Sequence, residues 1–551
     1  RGKYGNKGTV NNNSMNSSGS STNNNNNNND TYNPIMECEK TYFQYREPLI
    51  TPLLTDTLET LANTRSLNEL LRNGSSYLLR ILHLEYELYK DFFFNVMNNN
   101  NNNTNNSNNS NNSNDNNNSS NTAMIANDIS TDFLVVEGRK GSVVSIQGLG
   151  DLIDMASFDF LGFATDESIK QECVEVLRTY GCGSCGPRGF YGTVDLHLEL
   201  ENAIANFFNV EESIMYSDSG STVASVVPAF SKRGDLIICD QHVNDNLLTG
   251  MLLSRSKIIV YKHNDMNDLE RILVEIKRKD AKTGNSPKTQ RRFIVSEGLF
   301  RNTGQIVNLP VLNKLKKEHG CRLILDESLS FGVLGKTGRG VSEHFNMPID
   351  SIDILASSLA TSLGSVGGFC IGNEREVVDH QRLSGAGYCF SASTPPFVAK
   401  AATVALEKMA EHNYRLQHQL KLNLNEILEG IDQIPQLSVT SNENSPIIHL
   451  RLSNEWRTDD IRDEIDALRS IANMVREDGI LIVESKYVHS AINLKAINVK
   501  INGNRRGKKL LTPSFPETTL RIVTSAMHKM EDIDTLIKAL DVAVNELFAN
   551  N

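Results

Sequence analysis

Ser357-Ser358-Leu359-Ala360-Thr361-Ser362-Leu363-Gly364-Ser365-Val366-Gly367-Gly368 follows directly on the apolar run Ile352 to Ala356. The run has the length and composition of a buried strand, and the hydroxyl-rich stretch marks where that strand leaves the core. Three more runs are built alike. Leu236-Ile237-Ile238-Cys239 ends in Asp240, Phe293-Ile294-Val295 in Ser296-Glu297, and Leu323-Ile324-Leu325 in Asp326-Glu327. Amphipathic patterns surround them: Leu196, Leu200, Ala203, Ile204 and Phe207 mark one helix face, and Ile533, Leu536, Ile537, Leu540 and Val544 another. Strands alternating with such helices predict an α/β architecture, a mainly parallel sheet covered by helices. Ligands of open sheets of this kind bind beyond the carboxyl ends of the strands. Four polar motifs are therefore expected on one rim.

The 551 residues would correspond to about three to five domains, but part of the chain is low-complexity. Asparagine-rich tracts fill most of Val10 to Asp30 and all of Asn98 to Asn121; lacking apolar residues to offset chain ordering, they are expected to be disordered. This leaves a disordered tail over 1–31, an N-terminal helical block over 32–97, a second disordered tract over 98–121, and a globular region from about Thr122 to Phe548. With 39% hydrophobic residues in the whole chain, that region can bury a large core.

A formal net charge of -11 argues against nucleic-acid binding, which needs a basic face to neutralise phosphates. The basic runs Lys277 to Arg292 and Arg505 to Lys509 read as solvated surface loops, with docking of coenzyme A phosphates or anionic lipid as the alternative. Eight scattered cysteines do not form a disulfide framework, so a reducing compartment is expected. Cys182 and Cys185 make a single Cys-x-x-Cys without the second pair that a zinc site would call for. No stretch reaches the roughly 18 apolar residues of a membrane-spanning helix. Tyr77 to Met97 is amphipathic, suited to packing on its own domain or to lying on a membrane or partner. The chain opens on Arg1 rather than methionine, which leaves room for upstream residues, an anchor among them.

A family resemblance runs from about Asp151 to Phe548. Ser157-Phe158-Asp159-Phe160-Leu161-Gly162, the glycine-rich run Gly181 to Thr193 with His197 and Leu200-Glu201, and Asp326-Glu327-Ser328 with Gly332-Val333-Leu334-Gly335 and Gly338-Arg339-Gly340 are similar, in order and spacing, to the α-oxoamine synthases. These pyridoxal-phosphate enzymes condense an amino acid with an acyl-CoA. The resemblance implies the fold of the aspartate aminotransferase-like transferases (fold type I), with a large domain over 122–400 and a small α+β C-terminal domain over 401–551.

Carried over residue by residue, the resemblance shows what this chain keeps and lacks. The family lysine precedes a Gly-Gly in a Thr-Lys-Ser/Ala pattern, and Thr361 stands in its place. A hydroxyl cannot form the Schiff base that holds the cofactor aldehyde. Asp326 matches the aspartate that pairs with the pyridine nitrogen, and reads as a relic or a local hydrogen-bond acceptor. The following histidine is replaced by Leu329. Asn244 fills the ring-stacking histidine position, with His242 displaced by two residues. The phosphate-cradling turn reads Ser217-Asp218-Ser219-Gly220-Ser221, its glycine one place late. Arg521 resembles a family arginine that holds a substrate carboxylate; an ion pair is the other reading.

Four further runs are similar to the lysine-lacking subunits of the serine palmitoyltransferases: Ser231 to Asp235, His263 to Met266, Gln381 to Gly385 and Gly387 to Ser393. What this implies is a heterodimer in which a lysine-bearing catalytic subunit holds pyridoxal 5'-phosphate, with serine and palmitoyl-CoA condensing at a shared site to give 3-ketosphinganine. No catalytic residue is then expected in this chain. Phe390 to Pro396 matches the segment that reaches across the interface, which makes Ser391 and Ser393 the expected donors to the phosphate of the partner's cofactor. The setting implied is the cytoplasmic face of the endoplasmic reticulum membrane. Two alternatives stay open: a scaffold or regulatory pseudoenzyme, and a self-sufficient synthase using another lysine such as Lys336, which lies in the turn Gly335-Lys336-Thr337-Gly338.

Overall fold

The computed structural model describes residues 134–457, 461–485 and 516–549. The helical block over 32–97, the amphipathic stretch Tyr77 to Met97, both asparagine-rich tracts and the basic run Arg505 to Lys509 lie outside the described residues.

The strands β1 (Val136–Lys140), β2 (Val143–Ile146) and β3 (Gly150–Asp154) make an antiparallel ribbon. A central sheet follows, built from β4 (Ser213–Tyr216), β5 (Leu236–Asp240), β6 (Lys257–Tyr261), β7 (Arg292–Glu297), β8 (Arg322–Asp326), β9 (Ile354–Ser358) and β10 (Gly368–Gly372), in the order β4-β10-β9-β8-β7-β5-β6. Strands β5 to β9 pair in parallel, while β10 runs antiparallel to both neighbours. The sheet is the mainly parallel one expected. Its helical cover includes α1 (Glu167–Tyr180), α2 (Asp195–Phe208), α3 (Ser219–Phe230), α4 (Asp245–Ser254), α5 (Met266–Thr283), α6 (Leu309–His319) and α7 (Pro396–Ala410).

The four expected strands form, one of them displaced. The run Ile352 to Ala356 becomes a strand over Ile354–Ser358 because Asp353 is engaged elsewhere. Its carboxylate accepts the Leu323 amide at 2.7 Å and meets the Lys316 ammonium at 2.5 Å, so pairing with β8 begins only at Ile354. Strands β4, β6 and β10 carried weaker signals in the sequence. On α2, Leu196, Leu200 and Ile204 are buried as its periodicity implies. Every residue of β5 is buried, and covering such a side chain contributes about 1.5–3 kcal/mol.

Helices α8 (Arg415–Asp432), α9 (Ile461–Glu477) and α10 (Met530–Phe548) cover an antiparallel sheet of β11 (Leu437–Val439), β12 (Ile447–Leu452), β14 (Val483–Glu484) and β15 (Leu520–Val523), in the order β11-β12-β15-β14. The short β13 (Ile480–Leu481) pairs in parallel with β3. This region has its own apolar core, in which Ile427, Leu468, Ile471, Leu536 and Leu540 meet Ile448 and Ile522. Met155, just after β3, belongs to that core as well.

The basic run Lys277 to Arg292 is not a loop throughout. Its first part ends α5 and Arg292 opens β7. Within it, Lys279 pairs with Glu275 at 2.9 Å, Arg291 with Asp235 at 2.7 Å and Arg292 with Asp280 at 2.7 Å, so much of its charge is met locally.

Candidate functional site

The carboxyl ends of β7, β8 and β9 and the starts of α3 and α4 border a cleft of about 120 Å³. Its polar lining is Ser219, Asn244, Asn246, Glu297, Arg301, Asp326, Ser328, Ser358 and Thr361, and its apolar walls are Phe158, Val223, Leu299 and Leu329.

Asn244 serves three elements at once. Its side-chain oxygen caps α4, accepting the Asn246 and Leu247 amides at 3.1 Å each. Its Nδ2 donates to Asp326 Oδ2 at 2.8 Å, and its backbone amide donates to Glu297 Oε1 at 2.7 Å. Asp326 also accepts the Ser328 amide at 2.9 Å. Both carboxyls are buried, and burial raises their pKa values; the charge of Asp326 raises Glu297 further. The pair thus holds a proton above the usual carboxylate range.

Thr361 lies in the loop between β9 and β10 and faces the cleft, as its sequence position implies. Its hydroxyl donates to the Ser328 carbonyl. The double glycine that follows has a steric cause. A Cβ on Gly368 would stand 2.4 Å from Thr222 Oγ1, and Gly367 has φ +117°, with a Cβ there 2.6 Å from the Tyr216 carbonyl.

At the start of α3 the hydroxyls are consumed internally. Ser219 Oγ donates to the Gly367 carbonyl at 2.6 Å and lies 2.8 Å from Ser358 Oγ, which accepts the Ala360 amide at 2.9 Å. Asp218 caps the helix by accepting the Ser221 amide at 2.6 Å. A carboxylate thus sits where a helix start would otherwise favour a bound phosphate.

These residues do not fit covalently held pyridoxal phosphate. Among the described residues no lysine lines the cleft, and Lys336, exposed in its turn, is not part of that lining. His242 lies outside the cleft too, its ring packed 4.7 Å from that of His263. His263 is in turn held by Asp240 at 2.8 Å and Thr303 at 3.0 Å.

A second, much smaller pocket of about 10 Å³ gathers Arg188, Tyr216, Ser217, Tyr388, Ser391 and Ser393. The glycine-rich run is stitched to this segment: the Ser393 amide donates to the Gly186 carbonyl at 2.9 Å, and Ser184 Oγ donates to the Ser393 carbonyl at 2.7 Å. Arg188 forks onto Glu201 with two bonds of 2.9 Å and covers the Tyr388 ring at 5.5 Å. His197 accepts the Val194 amide at Nδ1, so its proton sits on Nε2 and reaches the Thr394 carbonyl at 2.7 Å; burial keeps the ring neutral.

The two serines expected here differ. Ser391 Oγ donates to the Gly387 carbonyl and lies 3.1 Å from Ser217 Oγ. Ser393 Oγ is buried and, among the described residues, meets no partner. Around them Phe190, Tyr191, Leu383 and Phe390 stand exposed.

Arg521 does not line the large cleft, but its guanidinium lies 4.8 Å over the ring of Phe158, which does. Arg301 covers the same ring at 5.5 Å and lines the cleft itself. Sequence reasoning left out Arg301 and the Glu297 contact; the one signal was position, four residues apart at a strand end on the predicted rim.

The Aminotransferase class I and II model matches residues 150–540. A model of the conserved oligomeric Golgi complex subunit 3 C-terminal region matches residues 5–126, which include both asparagine-rich tracts, and supports no family assignment. Among curated proteins, "Long chain base biosynthesis protein 1" of Arabidopsis thaliana is 41% identical over 363 residues, 66% of this chain and 73% of that one. "Serine palmitoyltransferase 1" of Dictyostelium discoideum is 41% identical, covering 67% of this chain and 78% of its own. The Saccharomyces cerevisiae protein of the same name is 34% identical, at 72% of each chain. A solved Sphingomonas wittichii serine palmitoyltransferase superposes with TM-score 0.65 at 22% identity, covering 78% of this chain and 96% of that one, which shows the shared fold. With a matching class model over most of the described residues and relatives of this identity over most of their own length, the chain belongs to the serine palmitoyltransferase 1 (long chain base biosynthesis protein 1) family of the class I and II aminotransferase fold.

Proposed function

We propose that this chain is the lysine-lacking subunit of a serine palmitoyltransferase. Paired with a lysine-bearing sister subunit, it forms the enzyme that condenses L-serine with palmitoyl-CoA to 3-ketosphinganine, the first step of sphingolipid biosynthesis. The observation that carries the reading is the combination of Thr361 facing a cleft that offers no amine with a buried Ser393 hydroxyl that has no partner within the described residues. A cleft without the reactive group cannot run the chemistry by itself. A buried hydroxyl left unpaired costs free energy unless a ligand or partner meets it.

Pyridoxal phosphate bound through the partner's lysine supplies the electron sink that makes the amino acid's α-carbon acidic. The residues of this chain position and enclose. Ser393 donates to a phosphate oxygen, and Ser391, tied to Gly387 and Ser217, keeps the segment in register. The buried Arg188–Glu201 fork fixes the glycine-rich run behind it. Phe190, Tyr191 and Phe390, exposed in this chain, provide apolar contact with the partner and keep water from the shared site. By its family resemblance Arg521, braced on Phe158, is the candidate for a substrate carboxylate. Asp326 and Asn244 hold each other in this chain's own cleft and have no catalytic duty there.

The same reading sets the complex at the cytoplasmic face of the endoplasmic reticulum membrane, where a long-chain acyl-CoA and its lipid product are accessible. Among the described residues no helix is long and apolar enough to cross a membrane. Copurification tests the proposal. The tagged chain should bring down a homologue with an intact Thr-Lys motif, and the pair should condense serine with palmitoyl-CoA while this chain alone does not. Turnover by the chain alone would refute it.

A further inference from the structure

We propose that the cleft of this chain lined by Arg301, Asp326 and Thr361 is a non-covalent binding site for a free α-amino acid with a short polar side chain, distinct from the site shared with the partner. At the mouth stands Arg301. Its guanidinium rests 5.5 Å over the Phe158 ring and, among the described residues, makes no hydrogen bond or salt bridge. Its main chain is pinned on both sides: the amide donates to Glu297 Oε2 at 3.2 Å, and the carbonyl accepts from His449 Nε2 at 3.2 Å. The Asp326 carboxylate feels its charge but forms no hydrogen bond or salt bridge with it, so the fork keeps its N–H groups for an anion, and its planar geometry suits a carboxylate.

The opposite wall carries the complementary charge. Asp326 and Glu297 line the same cleft as Arg301, and Ser328, Thr361 and Asn246 add hydroxyls and an amide to its lining. Three ligand classes are disfavoured by this arrangement. A phosphate meets Asp218 at the start of α3 and finds Ser219 and Ser358 already bonded to each other. A dicarboxylate would bring a second negative charge to the carboxyl pair. A purely apolar molecule would bury the guanidinium and the hydroxyls unmet. A zwitterion with its carboxylate on Arg301 and its ammonium toward Asp326 and Glu297 satisfies both ends. No bond is made or broken, since Thr361 offers no amine. The inference goes beyond the subunit reading, because every residue it uses lies in this chain.

The test uses the copurified complex after borohydride reduction, which converts the partner's imine into an amine that cannot exchange with an amino acid. Equilibrium dialysis with radiolabelled L-serine should then show one saturable site per copy of this chain. L-alanine, which keeps both charged ends and lacks the side-chain hydroxyl, should compete more weakly than L-serine; ethanolamine, which lacks the carboxylate, and 3-hydroxypropionate, which lacks the amine, should not compete. Arg301→Ala should weaken binding about tenfold or more at unchanged melting temperature. Thr361→Val, which keeps shape and removes a hydroxyl, should weaken it less. Absence of a saturable site in the reduced complex, equal competition by 3-hydroxypropionate, or unchanged affinity in Arg301→Ala overturns the proposal. A complex that turns over normally and yet binds no amino acid after reduction sinks this inference and leaves the subunit reading standing.

Discussion

Replacing Ser393 by alanine should move two quantities in opposite directions. Within the chain Ser393 is 6% exposed, and its buried hydroxyl meets no donor or acceptor among the described residues. Burying such a group unmet costs about 1–3 kcal/mol. Alanine removes that cost and leaves a void of only one oxygen, so the unfolding free energy of the full chain should rise, by about 0.5–2 kcal/mol after the small loss of packing. In the complex the same hydroxyl donates to a charged phosphate, a bond worth about 1.5–3 kcal/mol. At about 1.4 kcal/mol per decade, its loss corresponds to roughly 10- to 150-fold weaker cofactor binding. Ser391→Ala is the internal control. Its hydroxyl already bonds the Gly387 carbonyl, so the chain should lose about 0.5–1.5 kcal/mol of stability, with a smaller change in cofactor affinity. Denaturant unfolding of each chain and pyridoxal phosphate titration of each complex give the four numbers. A Ser393→Ala chain that is destabilised, in a complex whose cofactor affinity is unchanged, would show that the hydroxyl serves an internal contact and not the partner's site.

Arg188→Leu should cost about 3–5 kcal/mol, because it strands the buried Glu201 carboxylate that the fork now meets; adding Glu201→Gln should recover part of that loss in denaturant midpoints. Thr361→Lys should confer no turnover on a complex whose partner lysine is replaced, since Asp218 and the Ser219–Ser358 pair still occupy the phosphate end; restored condensation would refute this. Burial holds the Glu327 carboxyl up at about 7, against an ordinary value of 4.5, despite bonds from Ser330 and Val341. Between those values the native state keeps a proton that the unfolded chain has lost. Its contribution to stability is therefore complete below the lower value and lost as pH rises through the higher one. Unfolding midpoints should fall between about pH 5 and about pH 8, and Glu327→Gln should flatten that part of the profile.

The rim was legible because apolar strands that end in Asp240, Glu297 and Asp326 place their last residues beyond the core by strand geometry alone. Thr361 was legible through the family resemblance, which sets it at the lysine position ahead of Gly367-Gly368. Asn244 was read only as a lost histidine. The structure shows an asparagine doing what that side chain does at a helix start, with its remaining N–H groups free to hold Asp326. Ser391 and Ser393 were indistinguishable in sequence, because their difference lies in a turn that brings Gly387 and Ser217 to one hydroxyl and nothing to the other. Arg301 escaped notice since its meaning depends on Phe158, distant in sequence, lying beneath it. The C-terminal sheet was hidden by strands as short as β11 and β14, too brief for alternation to register.

The central claim is that this chain completes a site whose lysine lies in another chain. Borohydride reduction of the copurified complex, followed by digestion and mass spectrometry of both chains, tests it most directly. The phosphopyridoxyl group should appear on the lysine of the partner's Thr-Lys motif and on no lysine of this chain. A modified lysine in this chain that forms in proportion to activity would contradict the account.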